Sequence, residues 1–390
     1  MENKSNQEER EYGVVLAGGG TKGAYQVGAW KALKELGIKV KCVVGASIGS
    51  LNGALFLQDD MEKTEELYNN IKITDIMDVE GSVDSEKNIF NIANITKLTK
   101  EYAEQKGLSN EPLRKTIEKY IDIDKVYNSD IDFGLVTLNA NDRTPVELFK
   151  KDISKEQFVD YLLASSCFPI FKPQKIDDKE YLDGGLYDNI PINMLLKNDY
   201  KNILVLDIAG IGVKRKLISK DVYLKVISPN EDLGGTFEFN ADKIKTNIQL
   251  GYLDTLRAFN KLQGHIYYFK IPEFNKMIET YGLQTIYGLE YAAQMYNIER
   301  LKIYTFEEFI AELRKKHQEA QTKYEEFKEV LKSKNMLELK SQLKTVFDKG
   351  LALCFATDLY LDKPMSKKFS YINHFMKDYM RCVKALLELV

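Results

Sequence analysis

Two strand–turn–helix segments follow one another at the start of the chain. An apolar, β-like run at residues 12–16 leads into a glycine-rich turn, and apolar side chains then recur at helical spacing over residues 24–36. A β-branched run at residues 40–44 leads into a second glycine-bearing turn and a second helical pattern at residues 49–57. This order predicts a βαβα unit, in which a parallel sheet is buried on both faces.

Further strands and helices are predicted in the middle of the chain. Residues 60–130 are mostly helical in pattern, and helices are expected at residues 113–120 and 155–165. The strands are expected at residues 132–139, 146–149, 202–208, 224–228 and 265–271. From about residue 285 the pattern becomes helical, and no strand is expected there.

The predicted organisation has three parts. Residues 1–11 form a disordered N-terminus, residues 12–290 an α/β domain and residues 291–390 a helical C-terminal region. Residues 301–390 carry 17 basic and 13 acidic side chains, although the whole chain has a net charge of −3. We expect this tail to pack on the core or to form a homo-oligomer contact, with membrane docking or regulation as the alternative.

The composition excludes several classes of protein. A hydrophobic fraction of 44% argues against disorder, and a net charge of −3 gives no bulk attraction to nucleic acid. No apolar stretch approaches the ~20 residues of a membrane span, and the polar N-terminus predicts no secretory signal. The four cysteines are widely spaced, which favours free thiols in a reducing, cytoplasmic compartment over a zinc site or disulfides. We expect no metal and no cofactor.

The second turn fits the pattern G-x-S-x-G, with Gly45, Ser47 and Gly49 between a strand and a helix. A sharp turn of this kind lifts a serine oxygen clear of the sheet, provided that the residues two before and two after are small. The following helix directs its positive end toward the serine. The turn therefore predicts a nucleophile at Ser47, and the alternative is a tight turn in which the serine caps the helix.

The first turn, Gly18-Gly19-Gly20-Thr21-Lys22-Gly23, also opens a helix. It satisfies G-x-G-x-x-G, but a dinucleotide site expects an acidic residue about 20 positions further on, where this chain has a glycine turn instead. A phosphate-binding P-loop fails as well, because the G-K-[ST] order is absent. The remaining function is an array of backbone N–H donors, an oxyanion hole, to which Lys22 adds positive potential.

The third turn is Asp183-Gly184-Gly185, directly after a predicted strand. A carboxylate at a strand end, followed by two glycines, can approach another strand end closely, although Asp-Gly is also a common turn. Ser47, Asp183 and His265 follow the chain order of α/β-hydrolase triads, so a histidine base is an alternative. His265 is expected inside a strand, and the other two histidines lie in the helical tail, which disfavours a histidine base.

Taken in order, Gly-Gly-Gly-Thr-Lys-Gly, Gly-Ala-Ser-Ile-Gly and Asp-Gly-Gly resemble the motifs of the patatin-like phospholipases. The segments 108–120, 164–173 and 183–192 are similar to that family too, so the resemblance covers about residues 12–290. It implies a three-layer α/β/α fold with a mostly parallel central sheet, followed by an all-helical appendage. It also implies lipid acyl hydrolysis by a dyad of Ser47 and Asp183, with oxyanion donors from Gly18, Gly19 and Gly20.

A lipid acyl hydrolase of the phospholipase A or lysophospholipase type is therefore the expected function, with transient contact to a membrane surface. The 60–130 region and the tail are the candidate membrane-binding parts, the tail through Lys367, Lys368, Phe369, Tyr371 and Phe375. The alternatives are a soluble carboxylesterase or thioesterase, a lipase effector switched by a partner or ligand, and a non-catalytic lipid-binding protein.

Overall fold

The computed structural model describes residues 10–78, 107–333, 348–361 and 377–389, and these divide into two compact units, Met1–Leu256 and Arg257–Val390. The predicted βαβα unit opens the first. Strand β1 (Glu11–Leu16) precedes helix α1 (Ala24–Glu35), and β2 (Lys39–Ala46) precedes α2 (Ile48–Leu57). The disordered N-terminus was predicted to include residue 11. In the structure Glu11 is the first residue of β1 and pairs with Lys39.

The other elements of the first unit follow in chain order. Helices α3 (Met61–Asn70), α4 (Glu111–Tyr120) and α5 (Ile123–Asn128) precede β3 (Asp132–Asn139) and β4 (Pro145–Phe149). Next come α6 (Phe158–Ser165), β5 (Gln174–Ile176), β6 (Lys179–Asp183) and α7 (Ile192–Lys197). The last are β7 (Asn202–Leu206), β8 (Tyr223–Ile227) and α8 (Ala241–Ala258).

The main sheet has the strand order β5-β6-β3-β2-β1-β7-β8, with β4 paired to β3 outside this path. The five strands β3, β2, β1, β7 and β8 run parallel to one another. The other three strands pair antiparallel: β4 and β6 with β3, and β5 with β6. The predicted mostly parallel α/β sheet is therefore confirmed. The strand before Asp183 differs from the rest, since β6 runs antiparallel to β3.

Helices cover both faces of this sheet. On one face, Val15, Val44 and Val136 pack in a single cluster with Met194 and Leu195 of α7. On the other face, Phe133 packs edge-on against Phe158 of α6, at 5.7 Å between ring centroids. Because alternate residues of a strand point to opposite faces, continuous apolar runs such as Val43-Val44 feed both layers. The three-layer arrangement follows from this pattern.

Among its described residues, the second unit contains a small sheet and five helices. Its strands β9 (Leu262–Gln263), β10 (Tyr268–Lys270) and β11 (Ile303–Tyr304) lie in the order β11-β10-β9. Its described helices are α9 (Ile271–Tyr281), α10 (Leu283–Met295), α11 (Phe306–Ser333), α12 (Lys349–Leu361) and α13 (Lys377–Leu389). Their apolar faces share one core. The expectation of no strand after residue 285 is corrected by β11.

The boundary between the two compact units lies between Leu256 and Arg257. Strand β10 and helix α9 contribute to the same core as the later helices, through Phe269 and Phe274. The domain limit at about residue 290, where helical patterns begin to dominate, stays a prediction. The tail residues 367, 368, 369, 371 and 375, and most of the 60–130 region's middle (79–106), lie outside the described residues.

Candidate active site

Ser47 occupies the single residue between β2 and α2. Its backbone angles, φ 53° and ψ −129°, lie in a region that side-chain-bearing residues rarely adopt. A Cβ on Gly45 would meet the Gly49 carbonyl carbon at 2.3 Å, and a Cβ on Gly49 would meet the Leu16 oxygen at 2.1 Å. The two glycines of the motif thus allow the close approach that a sharp turn requires. The result is a half-buried serine at the head of a helix.

Strand register brings Asp183 to the same edge of the sheet. Ala46, just before Ser47, is opposite Val136 in β3, and β3 then continues for three residues beyond the last β2 pair. This overhang pairs antiparallel with β6, so that Thr137 lies opposite Asp183. Gly184 follows so closely that a Cβ there would meet the Val136 oxygen at 2.1 Å. Asp183 therefore ends its strand beside the residues that flank Ser47.

The Asp183 side chain is 4% exposed and only partly hydrogen-bonded. Oδ1 accepts from the Gly185 N–H at 2.7 Å, whereas Oδ2 has no hydrogen-bond partner among the described residues. Burial raises the pKa of Asp183 to about 6, and interactions with the Ser47 hydroxyl and the Gly185 amide oppose that rise. Ser47 is thus near enough to influence the carboxyl, although the bond between them is not closed at normal hydrogen-bond geometry.

One short segment holds the backbone of both residues. The Ser47 N–H donates to Ser165 Oγ at 3.2 Å, and the Asp183 N–H donates to the Cys167 carbonyl at 2.8 Å. Cys167 is itself buried, and this burial raises the pKa of its thiol to about 12, which keeps it a neutral thiol. The sequence showed residues 164–173 only as similar to the family. The contact between Ser47 and Ser165 spans 118 residues and leaves no local pattern, whereas the contact between Asp183 and Cys167 joins residues 16 positions apart.

The glycine-rich turn lies against Ser47, since a Cβ on Gly18 would come within 3.1 Å of the Ser47 Cβ. The Gly18 N–H, however, donates to the Asn189 carbonyl at 3.1 Å. Among the described residues, the amides of Gly19 and Gly20 have no such acceptor. The three predicted oxyanion donors are therefore not equivalent, because Gly18 is already engaged. Lys22 points elsewhere and donates to the Ala209 carbonyl at 3.4 Å.

Asn189 is a second residue that sequence analysis did not single out. Its backbone carbonyl accepts from the Gly18 N–H, and its Nδ2 donates back to the Gly18 carbonyl at 3.1 Å. It is 1% exposed, and its own N–H donates to the Val213 carbonyl at 2.6 Å. Asn189 therefore clamps the glycine turn from both sides. It lies six residues after Asp183, so it ties the first and third turns together.

A buried polar chain supports the other side of the glycine turn. Gln26 Nε2 donates to the Ala17 carbonyl at 2.8 Å, and Asn52 Nδ2 donates both to Gln26 Oε1 at 2.9 Å and to the Gly23 carbonyl at 3.1 Å. The Tyr68 hydroxyl donates to Asn52 Oδ1 at 2.7 Å. All three side chains are buried and satisfied, so they fix the turn without exposing it to water.

An apolar cavity opens beside the serine. It is lined by Ser47 and Gly20 and by large apolar side chains from α2, α3, α4 and two loops, among them Leu51, Leu67, Ile117, Phe168 and Phe237. The space between its lining atoms amounts to about 930 Å³, part of which is open to solvent. A cavity with this lining can accept a long apolar group whose reactive end lies at Ser47.

The histidines lie apart from the serine in sequence and unit. The first unit contains none, since the three are at positions 265, 317 and 374. His265 lies in a bend between β9 and β10 rather than inside a strand, which corrects the expectation, and its Nε2 is 3.1 Å from the Tyr291 hydroxyl. His317 is buried against the Tyr296 hydroxyl at 2.6 Å, and His374 lies outside the described residues.

In residues 10–78, 107–333, 348–361 and 377–389, no group of three or more His, Cys, Asp or Glu side chains is placed to hold a metal ion. Over the same ranges, no helix is both long enough and apolar enough to cross a bilayer.

The fold and the turn define a class: a three-layer α/β protein with a strained serine between a strand and a helix, a buried carboxyl and a glycine turn beside it. Residues 14–196 match the family model of the patatin-like phospholipases. The chain thus carries a patatin-like phospholipase domain, and the resemblance of its three motifs is confirmed. Residues 197–290 lie outside this match, and their place in the catalytic domain stays a prediction.

Parts of the chain are similar in sequence to fungal lysophospholipases. The lysophospholipase NTE1 of Cryptococcus neoformans is 24% identical over 215 residues, which is 52% of this chain and 11% of that protein. The lysophospholipase nte1 of Aspergillus terreus is 52% identical over 50 residues, which is 13% of this chain and 3% of that protein. The matched segments are thus a small part of these relatives.

Solved structures with a broad match show low similarity. VipD from Legionella pneumophila has a TM-score of 0.41 at 14% identity, over 97% of this chain and 90% of that chain. ExoU of Pseudomonas aeruginosa, solved in complex with SpcU, has a TM-score of 0.31 at 14% identity, over 94% of this chain and 79% of that chain.

Proposed function

We propose that the protein is a lipid acyl hydrolase of the phospholipase A or lysophospholipase type, with Ser47 as nucleophile and Asp183 as general base. The observation that carries the proposal is the position of Ser47. It lines an apolar cavity and also lies close enough to a buried carboxyl to affect its pKa. A nucleophile needs a base within reach and a site for the substrate, and Ser47 has both.

The proposed reaction has two steps. Ser47 Oγ attacks the ester carbonyl carbon and passes its proton to Asp183 Oδ2, the oxygen that has no partner among the described residues. The alcohol leaves with that proton, and an acyl-enzyme remains. Water then loses a proton to Asp183 and attacks the acyl carbonyl, and Ser47 regains a proton as the fatty acid is released.

The negative oxygen of each tetrahedral intermediate needs N–H donors. The amides of Gly19 and Gly20 fit this role better than that of Gly18, which donates to Asn189. Each correctly placed donor contributes about 3 to 4 kcal/mol to transition-state stabilisation. Asn189 and the chain from Gln26 to Tyr68 would act as positioning residues, because they hold the turn that carries these amides.

The substrate class follows from the cavity and from the relatives. A cavity lined by leucine, isoleucine and phenylalanine favours an acyl chain over a polar acid, since burying each CH₂ contributes about 0.8 kcal/mol. The relatives named lysophospholipases support a phospholipid or lysophospholipid ester. The family match supports ester hydrolysis in the same way.

The test uses a fluorophosphonate probe and a series of acyl esters. We expect the probe to label Ser47, and Ser47→Ala to abolish both labelling and hydrolysis. The control Ser129→Ala removes a partly exposed serine outside the cavity and should retain both. Catalytic efficiency (kcat/KM) should increase from acetyl to palmitoyl esters, and lysophosphatidylcholine should release fatty acid.

Three results would contradict the proposal in different ways. A folded protein that neither reacts with the probe nor hydrolyses any ester would favour a non-catalytic lipid-binding protein. Hydrolysis confined to short soluble esters or to thioesters would favour a soluble carboxylesterase or thioesterase. Labelling at a serine other than Ser47 would overturn the assignment of the nucleophile.

A further inference from the structure

The loop between β7 and β8 exposes apolar side chains to solvent. Within this β7–β8 loop (residues 207–222), Ile211 is 81% exposed, Ile218 61% and Val213 47%. Ile211 is the most exposed large apolar side chain among the described residues. Single exposed apolar residues are common, but three within eight positions form a patch.

The β7–β8 loop is fastened to the fold beneath it. Val213 exchanges backbone hydrogen bonds with two residues that follow Asp183, donating to Gly185 at 2.9 Å and accepting from Asn189 at 2.6 Å. Asn193 donates to the Lys216 carbonyl at 3.0 Å and accepts from the Ile218 N–H at 3.1 Å. The exposed side chains are therefore held outward by an ordered backbone.

The same contacts place the loop at the rim of the candidate active site. A Cβ on Gly210 would meet the Gly18 oxygen at 1.8 Å, so Ile211 follows a residue in contact with the glycine turn. Val213 is bonded to Gly185, directly after the Asp183 turn, and the neighbouring Leu186 is 40% exposed. The loop that carries the apolar patch thus borders both the glycine turn and the Asp183 turn.

The charge of the loop differs from that of the chain. The β7–β8 loop contains four basic side chains and two acidic ones, Asp207 and Asp221 near its ends, whereas the whole chain has a net charge of −3. The basic residues are Lys214, Arg215, Lys216 and Lys220, and all four are exposed. Lys214 forms an ion pair with Asp207 at 2.8 Å, and the Arg215 guanidinium lies 4.3 Å from the Tyr187 ring centroid.

We propose that the β7–β8 loop is a membrane-docking element that binds an anionic lipid surface. Ile211 and Ile218 would enter the boundary between headgroups and acyl chains, and Lys214, Lys216 and Lys220 would interact with lipid phosphates and carboxylates. Apolar residues flanked by lysine and arginine suit such a surface. The aliphatic stems of lysine and arginine lie in the apolar layer while their charged ends stay in water. The inference rests on the proposed lipid substrate, which has to leave a membrane to reach Ser47.

The experiment measures vesicle binding in the Ser47→Ala background, so that lipid is not consumed. Binding is measured by flotation with vesicles of phosphatidylcholine alone and of phosphatidylcholine with about one-third phosphatidylserine. The apolar variant is Ile211→Ser with Ile218→Ser. The basic variant is Lys214→Gln with Lys216→Gln.

The two variants should fail in different ways. The apolar variant should bind both kinds of vesicle about tenfold more weakly. The basic variant should lose about tenfold on the anionic vesicles alone, and this loss should vanish in high salt. As controls, Phe355→Ser, at 50% exposure, and Lys175→Gln with Lys179→Gln should bind within about twofold of the parent.

Other outcomes would overturn the docking role without touching the proposed function. If both loop variants float like their parent, the loop does not dock. If vesicle binding is unchanged but light scattering shows a dimer that Ile211→Ser disrupts, the patch is an interface between copies of this chain. Hydrolysis of a soluble short-chain ester, measured with Ser47 intact, should be the same for the loop variants and the parent, and reports separately on the chemistry.

Discussion

Glu290 in the second unit and Asp183 in the first are both buried carboxylates, and they differ in how their oxygens are hydrogen-bonded. Glu290, in the second unit, is fully buried and accepts from the backbone N–H groups of His265, Ile266 and Tyr267. Asp183, in the first unit, accepts one backbone N–H on Oδ1 and leaves Oδ2 unpartnered among the described residues. A satisfied buried carboxylate stabilises a fold, whereas an unsatisfied one costs stability and is retained where a reaction uses it.

Burial raises the pKa of both groups, but the opposing interactions differ. For Glu290, three backbone hydrogen bonds and the charge of Arg257 lower the pKa against the desolvation. For Asp183, the opposing interactions come from Ser47 and Gly185. Burial alone therefore does not distinguish Asp183, the proposed general base, from Glu290. The distinguishing features are the Asp183 oxygen that has no bonding partner among the described residues and the nearby Ser47 hydroxyl. Three predictions test this difference.

The largest effect is expected on hydrolysis in Asp183→Asn. An amide cannot take the serine proton, so kcat/KM for a soluble ester should fall by about 10³-fold or more. In the parent, activity should rise with pH through the pKa of about 6, because the base has to be ionised. A stopped assay across pH 4 to 9 measures both.

Asp188 supplies a matched control for that experiment. It is 2% exposed, and burial raises its pKa to about 6 as well, but its hydrogen bonds go to the backbone of Ile190 and Arg215. Asp188→Asn should retain the rising limb of the pH profile. If Asp188→Asn lost that limb and Asp183→Asn kept it, the base would be Asp188.

The second prediction concerns Glu290→Gln and the stability of the second unit. The amide NH₂ cannot accept, so part of the backbone at His265, Ile266 and Tyr267 loses its partner, at a cost of about 3 kcal/mol. Hydrogen exchange of residues 262–270 should accelerate by about 100-fold, while peptides that contain Ser47 and Asp183 keep their protection. The exposed Glu279→Gln is the control and should change neither.

The local turns and strands of the candidate site were predictable, because each depends on residues that lie close together in the sequence. The turn at Ser47 needs Gly45 and Gly49 within four residues, and the strand at residues 132–139 was predicted with the bounds that β3 has. The helix predicted at residues 24–36 differs by one residue from α1 (Ala24–Glu35). Its end is also signalled locally, because Gly37 follows with φ 66°.

The contacts between distant segments were not predictable. That β6 runs antiparallel depends on the three-residue overhang of β3, which no local pattern shows. The roles of Ser165 and Asn189 depend on hydrogen bonds to residues 118 and 171 positions away. Helix α8 was missed although Ile244 and Leu253 are buried on it, because its apolar spacing is interrupted by polar residues such as Asn247, which are buried and bonded.

The third and smallest effect is on stability, and here Asp183, the proposed general base, should act in the opposite direction to Glu290. Because the pKa of Asp183 is about 6 in the fold and 3.8 when unfolded, the folded state holds its proton more tightly. The stabilising contribution of the protonated form is complete below pH 3.8 and is lost as the pH rises through 6, which leaves the buried charge at neutral pH. Asp183→Asn removes that charge, and should therefore raise the free energy of unfolding of the first unit by about 2 to 3 kcal/mol at pH 8.

The same substitution should gain little at pH 4, where the parent carboxyl is protonated in the fold. Unfolding in urea can be followed by the fluorescence of Trp30, the chain's single tryptophan, which is buried in α1 of the same unit. A gain in stability that grows between pH 4 and pH 8, together with lost hydrolysis, would show that the fold tolerates this carboxylate for its chemistry. A loss of stability at pH 8 would instead place Asp183 beside Glu290 as a structural carboxylate, and Oδ2 would then need a bonding partner in solution.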